Sequence, residues 1–231
     1  MPEVGSELYK LIKVDGPDAV TFLQGQLTQD VTRLQEGDPL LAAWCNPKGR
    51  VIVILRLLPL ANDAIGLLLP ADMAERALQR LTMYRLRAKV DFTVEDNGWQ
   101  QFIDPAAVEP SALISAGVAT IDASNSEEHT PHMLNLDKLD AISFSKGCYT
   151  GQEVVARTEH LGQSKRRLMR YRVAGTAVDI GDKVSDGERN VGEVVNIADD
   201  ELLAVTPVAL HAATLYADGT TLTPLGLPYD L

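Results

Sequence analysis

Two apolar runs on either side of a turn sequence constrain the fold of this chain more than any other feature. LLAAWCN and RVIVILRLL flank Asn46-Pro47-Lys48-Gly49, and Asn, Pro and Gly are residues that tight turns select. This pattern predicts an antiparallel hairpin. AIGLLLP predicts a third strand, and residues 71–85 carry apolar side chains at helical spacing. We therefore expect a small α+β sandwich between about residues 40 and 105.

The N-terminal part predicts a strand followed by a helix. LYKLIKV is typical of a strand, and Gly16-Pro17-Asp18 is typical of a helix start. Gly25 falls inside the predicted helix, where glycine costs about 1 kcal/mol relative to alanine, so it favours a close approach of a backbone or a ligand. KVDFTVED alternates as a strand does, and WQQFID predicts one more strand.

The chain after residue 105 has a different pattern. Residues 105–130 predict a weakly structured connection with a short helix, and residues 153–161 predict a helix that ends at Gly162. From about Lys165 onward, short apolar segments alternate with Gly and Asp turns. Such a succession predicts a compact β-barrel or sandwich.

Composition and charge exclude several classes of protein. The chain has 231 residues and a formal net charge of −11, which argues against a broad surface for nucleic acid or for an anionic membrane. The strongest apolar run is interrupted by Arg56 and Pro59 and is too short to span a bilayer. The first ten residues lack the basic and apolar regions of a signal peptide. We expect a cytoplasmic protein with no membrane partner and no direct nucleic-acid partner.

The cysteines argue against a resident metal. Cys45 and Cys148 are the two cysteines of the chain and lie far apart, so they form no C-x-x-C pair and no disulfide framework. An iron–sulfur cluster needs about four thiolate or imidazole ligands, which this pattern does not supply. Cys45 lies in an apolar strand and is most simply a core residue.

The segment SKGCYTGQEVVAR, residues 145–157, has the most unusual composition. Lys146 and a helix predicted just after Cys148 would both favour the thiolate, and two glycines allow a tight loop. A buried cysteine in a glycine-rich turn, with Tyr149 in the core, fits the local chemistry as well. A cysteine protease is less favoured, because no spacing singles out a base among the four histidines.

Two further segments carry groups that could bind a ligand. The hairpin turn could present Lys48 and Arg50 to a carboxylate or phosphate, although a solvated hairpin tip is the simpler interpretation on local evidence. For FLQGQLTQDV, an ordinary helix with a polar face is likewise the simpler interpretation on local evidence. Its candidate polar side chains are those of Gln24, Gln26, Thr28 and Asp30.

Taken together, these segments resemble one family. KGCYTGQEVVAR is similar to the signature of the YgfZ proteins, which are folate-binding relatives of the glycine-cleavage T-protein, an aminomethyltransferase. FLQGQLTQDV, NPKGR and PHMLNLDKLDAISFSKG match other blocks of that family in the expected order. The resemblance runs from about residue 8 to residue 210. The signature positions are Lys146, Gly147, Cys148, Tyr149, Gly151, Gln152, Glu153 and Arg157.

The resemblance implies an α+β fold of three modules in a ring around a central channel. The first is a discontinuous folate-binding α/β module, residues 1–40 with 120–164, which carries the Cys148 loop. The second is a ferredoxin-like α+β module, residues 41–119. The third is a C-terminal β-barrel, residues 165–231.

The resemblance also implies a function. Tetrahydrofolate, or a one-carbon derivative, is expected in the channel, and iron–sulfur proteins are expected as transient clients. The protein would support assembly or repair of their clusters, as in radical-SAM tRNA-modifying enzymes, with Cys148 as the functional thiol and Lys146 beside it. The residues expected to line the folate channel are Gln24, Gln26, Thr28, Asp30, Lys48, Arg50, Gly147, Tyr149, Gly151, Gln152, Glu153 and Arg157.

Two other functions stay open at this point. One is a folate-dependent aminomethyl- or methyltransferase. T-proteins carry an acidic pair after the corresponding hairpin, but here Val53 and Ile54 stand in that place, and apolar side chains cannot act as a general base. We therefore predict that the chain is not an aminomethyltransferase. The other is a non-catalytic scaffold for client proteins, with folate as a structural or regulatory ligand.

Overall fold

A computed structural model describes residues 8–162, 164–175 and 177–231, and eleven strands in this part of the chain form two sheets. The strands are β1 Tyr9–Asp15, β2 Leu40–Cys45, β3 Val51–Pro59, β4 Ile65–Pro70, β5 Asp91–Glu95, β6 Arg166–Val173, β7 Lys183–Ser185, β8 Asn190–Ala198, β9 Glu201–Pro207, β10 Leu215–Ala217 and β11 Thr220–Leu225. The α-helices are α1 Ala19–Gln24, α2 Ala74–Tyr84, α3 Pro110–Ser115 and α4 Gln152–Leu161. Short 3-10 helices span Val31–Glu36, Ala61–Asp63, Ala71–Met73, Trp99–Gln101, Pro105–Val108 and Val208–Leu210.

The first sheet is antiparallel and has the strand order β2-β3-β4-β1-β5. One edge of the sheet is formed by the predicted hairpin, in which β2 pairs with β3 and the register shifts between Trp44 and Cys45. One face is covered by α1 and α2, because Leu23 and Leu81 at helical spacing join the strand side chains in one apolar core. The hairpin strands are buried along most of their length, which explains their continuous apolar sequence.

The second sheet is a closed six-stranded barrel in the order β10-β11-β6-β9-β8-β7. Its interior is filled by alternate side chains of the strands, among them Tyr171, Val184, Leu202 and Leu215. The predicted C-terminal barrel is therefore confirmed.

The two sheets are joined by a third apolar core. It combines Ile54 of β3, Val155 of α4 and Leu168 of β6 with residues of the intervening segment, such as Leu134. Arg167 reinforces this junction, since its two terminal nitrogens bind the two carboxylate oxygens of Asp137 at 2.6 and 2.9 Å and both side chains are nearly buried.

Most of the predicted elements are confirmed, including α4 with its end before Gly162. Two predictions are wrong. The segment predicted as a strand at WQQFID forms a 3-10 helix with Trp99 fully buried, and Gly25 lies at the C-terminal cap of α1 instead of inside it. The predicted boundaries of the three modules stay a prediction. The pairing of β1 with β4 and β5 shows, however, that one sheet crosses the boundary predicted at residue 40.

Among the helices that the structure describes, none combines the length and the apolar character needed to cross a membrane. The expectation about a signal peptide falls mainly on residues 1–7, which lie outside the described residues.

Candidate functional site

Three of the segments singled out in the sequence meet in the structure. The loop that carries Cys148, residues 143–151, lies against the turn that follows α1 and against the hairpin turn between β2 and β3. The N–H of Thr150 donates to the carbonyl of Gly25 at 3.2 Å, and the N–H of Ser143 donates to the carbonyl of Thr28 at 2.9 Å. The close approach expected at Gly25 is thus made by the backbone of the Cys148 loop.

Lys146 anchors this loop to the turn after α1. Its ammonium donates to the carbonyl oxygens of Leu27 and Gln29, both at 2.8 Å, and lies 5.3 Å from the ring centroid of Tyr149. Burial lowers the pKa of Lys146 to about 8, and the carboxylate of Asp30 opposes that shift. The cation of Lys146 therefore holds the backbone of two segments together.

The hairpin turn and the start of α4 touch through two glycines. Gly151 has φ +84°, and a Cβ there would lie 2.5 Å from the carbonyl oxygen of Asn46. Gly49 has φ +70°, and a Cβ there would lie 2.7 Å from the Cβ of Val154. Only glycine satisfies both the positive φ and the contact, so these two positions fix the distance between the turn and α4.

The two cysteines differ completely in exposure. Cys148 is exposed, whereas Cys45 is 0% exposed and burial raises its pKa to about 12. The interpretation of Cys45 as a core residue is confirmed. The alternative that Cys148 is a buried residue in a glycine-rich turn is wrong, although Tyr149 beside it is indeed buried, which raises its pKa. Helix α4 begins at Gln152, so Cys148 lies in the loop ahead of it, and activation of its thiol stays a prediction.

The polar side chains of residues 24–30 mostly hold their own turn together. Gln24 donates to Asp30 at 2.9 Å and accepts from the N–H of Val31 at 2.8 Å. Hydrogen bonds, first among them that from Thr32, lower the pKa of Asp30. Thr28 is fully buried and donates to the carbonyl of Ala141 at 2.7 Å. The Oε1 atom of Gln26 is buried and has no partner among the described residues.

The other predicted site residues lie apart from this turn. Glu153 and Arg157 form an exposed ion pair of 2.7 Å on α4, as their spacing allows. Gly147 is exposed, and Gln152 is half-buried. Lys48 and Arg50 flank Gly49 but line two different cavities. A role for these residues in folate binding stays a prediction.

The hairpin turn borders a cavity of about 410 Å³, which we call the turn cavity. Its lining includes Trp44, Lys48, Arg80, Tyr84 and Glu127. The rings of Trp44 and Tyr84 meet edge to face, with centroids 6.4 Å apart. The indole N–H of Trp44 is buried and finds no hydrogen-bond partner in the described parts of the chain. The turn cavity thus offers aromatic surface, an unused donor and charges of both signs.

Glu127 is the most constrained group of the turn cavity. One of its oxygens accepts from Asn46 at 2.6 Å, and the other accepts from Arg76 at 2.5 Å and from Arg80 at 2.8 Å. These contacts, with the Asn46 hydrogen bond first, lower the pKa of Glu127. Three bonds leave one of the roughly four acceptor positions of a carboxylate available to a ligand.

Sequence reasoning missed Glu127, Arg80 and the role of Trp44. Glu127 belongs to the acidic stretch SNSEEH in the segment predicted to be weakly structured, and it is far in sequence from both Asn46 and Arg80. No local pattern links these positions. The arginines on α2 were the only available signal, since they lie at i and i+4 on one helix face.

One group of side chains has the composition of a metal site. Among the described residues, His132, Asp137 and Glu159 place their potential ligand atoms within 4.8 Å of one another. The carboxylate of Asp137, however, binds Arg167 with both oxygens, and the Nε2 of His132 contacts Glu159 at 3.1 Å. These contacts tie the segment after residue 130 to β6 and α4.

Known proteins resemble the chain in sequence and in fold. The "tRNA-modifying protein YgfZ" of Hamiltonella defensa is 30% identical, over 89% of this chain and 77% of that protein. The protein of the same name from Vibrio atlanticus is 30% identical, over 80% of this chain and 74% of that one. An uncharacterized protein of Haemophilus influenzae is 33% identical, over 71% of each chain. No protein-family model matches the chain.

Among solved structures, the glycine cleavage system aminomethyltransferase T from Bartonella henselae superposes with a TM-score of 0.71. The match covers 97% of this chain and 84% of that one, at 13% sequence identity. At this identity the likeness establishes a shared fold.

The contact between Gly151 and Asn46 predicts a specific effect of substitution. Gly151→Ala should destabilise the protein by about 1–3 kcal/mol, because the new methyl group meets a backbone carbonyl at a positive φ. Gly147→Ala is the matched control, since a Cβ at Gly147 meets no atom within 4 Å. Urea unfolding of both variants measures the difference. Equal stabilities of the two variants would contradict the contact.

The environment of Lys146 predicts an unusual titration. Its pKa is lowered from 10.5 to about 8, so between these values the folded state binds fewer protons than the unfolded state and this group makes stability rise with pH. The ¹³Cε signal of Lys146 in NMR spectra should titrate near pH 8 and be missing in Lys146→Arg. Asp30→Asn should lower the midpoint further, because the Asp30 carboxylate raises it. An ordinary lysine midpoint would refute the burial of the ammonium.

Proposed function

Because the chain belongs to the family of YgfZ tRNA-modifying proteins, we propose that it is a tetrahydrofolate-binding accessory protein for iron–sulfur enzymes. In this proposal it supports the assembly or repair of clusters in client enzymes, such as radical-SAM tRNA-modifying enzymes. The observation that carries the proposal is the exposed Cys148 thiol on a loop held by Lys146 and Gly151, next to a hairpin turn that borders an aromatic and charged cavity.

The turn cavity suits the chemistry of a folate. A pterin ring carries an amino group and a ring N–H, and both can donate hydrogen bonds to a carboxylate such as that of Glu127. Its carbonyl oxygen can accept a hydrogen bond from the indole N–H of Trp44, which has no partner among the described residues. The face of the ring needs apolar surface, which Tyr84 provides. The glutamate carboxylates of the folate would meet the cations Lys48 and Arg80.

The Cys148 thiol suits transient contact with a client. A partner protein can reach the exposed thiol of Cys148 on its loop, but it cannot reach the buried thiol of Cys45. The backbone anchors on both sides of Cys148, at Lys146 and at Gly151, keep the thiol in a fixed place without covering it. An iron–sulfur cluster or its components would be the cargo of such an encounter.

A one-carbon transferase is less well supported. Val53 and Ile54, which stand where T-proteins carry the acidic pair, are both buried in apolar cores. The carboxylate that the turn cavity does contain, Glu127, has a lowered pKa because Asn46 and two arginines stabilise its charge. A carboxylate held in this way is a weak general base. The likeness to the aminomethyltransferase extends to the fold alone.

Tetrahydrofolate binding can be measured by thermal unfolding. The ligand at about 100 times its Kd should stabilise the protein by about 2.7 kcal/mol, because it binds only the native state. Lys48→Met should weaken binding about tenfold, as expected for the loss of one charge-assisted contact. Lys13→Met is the matched control, since it removes one cation from β1 in the sheet. An unchanged unfolding temperature at millimolar ligand would overturn the folate half of the proposal.

The role of the thiol is tested by Cys148→Ala. We expect this variant to fold and to bind tetrahydrofolate normally, because the side chain is exposed, but to lose its support for the client. The measurement is the level of the modified nucleoside made by a cluster-dependent tRNA-modifying enzyme in cells whose only copy is the variant.

Ser145→Ala controls for changes in the same loop, since Ser145 is also exposed. Full client activity of Cys148→Ala would remove the thiol from the proposal. Loss of activity in both variants would assign the effect to the loop as a whole.

A further inference from the structure

A second cavity, of about 340 Å³, lies between the hairpin turn and the barrel. Neighbouring residues of the same two segments line the two cavities. Lys48 and Glu127 face the turn cavity, whereas Arg50 and His129 line the second one, which we call the barrel cavity because β7 and β8 complete it. Arg50 is among the residues expected to line the folate channel, but the folate site proposed in the turn cavity uses none of the residues of the barrel cavity.

In the barrel cavity, the ring of His129 has a buried nitrogen for which the described residues provide no hydrogen-bond partner. The residue is 7% exposed, and its backbone is fixed because its carbonyl accepts the N–H of Val51 at 2.8 Å. The Nε2 of its ring is buried and has no hydrogen-bond partner in residues 8–162, 164–175 and 177–231. A buried polar atom without a partner is costly, so a native structure retains one mainly where a ligand or water completes it.

The lining of the barrel cavity carries charges of both signs, and of these Glu193 and Glu128 act most strongly on the imidazole. Arg50, Lys183 and the exposed Arg166 face two carboxylates, those of Glu128 and Glu193. Lys183 is already bound to Glu193, and Arg50 donates one N–H to the backbone carbonyl of Glu128. A guanidinium has five N–H donors, so Arg50 keeps several for a ligand. By formal charge the lining holds three cations and two carboxylates, in a protein of net charge −11.

We propose that the barrel cavity is a second binding site, which takes the anionic group of a small molecule, a carboxylate or a phosphate. The N–H of the neutral His129 ring and the guanidinium of Arg50 would donate to its oxygens, and Lys183 would add a positive charge. Burial lowers the pKa of His129, which keeps its ring neutral at pH 7 with one nitrogen as donor. This site stands on its own residues and does not depend on folate binding in the turn cavity.

The test is a titration of the full chain, labelled with ¹⁵N in its histidine rings, with inorganic phosphate and with glutarate at constant ionic strength. We expect a saturable shift of the Nε2 signal of His129 with a millimolar midpoint, the strength of one small charged ligand. Arg50→Met should raise the ligand concentration at the midpoint at least about fivefold. Lys10→Met, which removes one cation from β1, is the matched control and should leave it unchanged.

Each outcome decides something about the site. A response to phosphate alone assigns a phosphate-bearing ligand, a response to glutarate alone assigns a carboxylate, and a response to both supports the shared anion site. A linear shift without saturation, or equal midpoints for wild type and Arg50→Met, would overturn the proposal. Unfolding curves of Arg50→Met establish that the variant is folded during the titration. If Arg50→Met is unfolded, Lys183→Met takes its place and is expected to raise the ligand concentration at the midpoint in the same way.

Discussion

The arrangement of the candidate site depends on the contact of two backbones, in which Gly151 lies against the carbonyl of Asn46. The hairpin turn closes two strands that are buried along most of their length, so it acts as a fixed surface. Helix α4 starts on this surface, and the Cys148 loop is stretched between it and the turn after α1. The same turn forms a wall of both polar cavities. This contact between two backbones thus fixes the position of the thiol relative to the ligand-binding surfaces.

The distribution of charge complements this geometry. The protein as a whole is strongly acidic, yet cations from the hairpin turn, α2 and the barrel gather around the turn. Three of these cations, Arg76, Arg80 and Lys183, form ion pairs with Glu127 or Glu193. The net charge of −11 opposes the binding of a polyanion at the wider surface, and the expectation of no direct nucleic-acid partner stays a prediction.

The sequence predicted the features that depend on neighbours along the chain. The hairpin, the barrel strands and α4 follow from turn residues and from the period of apolar side chains, and the signature around Cys148 located the loop. The prediction of a strand at WQQFID was wrong, because a short aromatic segment fits a strand or a buried 3-10 turn equally well. The sequence did not indicate Glu127, because its partners come from the hairpin turn and α2, far away in sequence. The unpaired ring nitrogen of His129 is a property of packing that no residue pattern contains.

The anchor of Lys146 has a consequence for how the turn after α1 tolerates evolutionary change. Both acceptors are main-chain carbonyls, those of Leu27 and Gln29, so the bond is indifferent to which side chains these positions carry. Alanine at either position would leave the acceptor carbonyl in place and would report on packing at Leu27 and on the side-chain hydrogen bonds at Gln29. The position of the loop therefore depends on the backbone conformation of this turn. Divergence of relatives at these two positions is therefore limited by the buried space that the side chains fill and not by the bonds to Lys146.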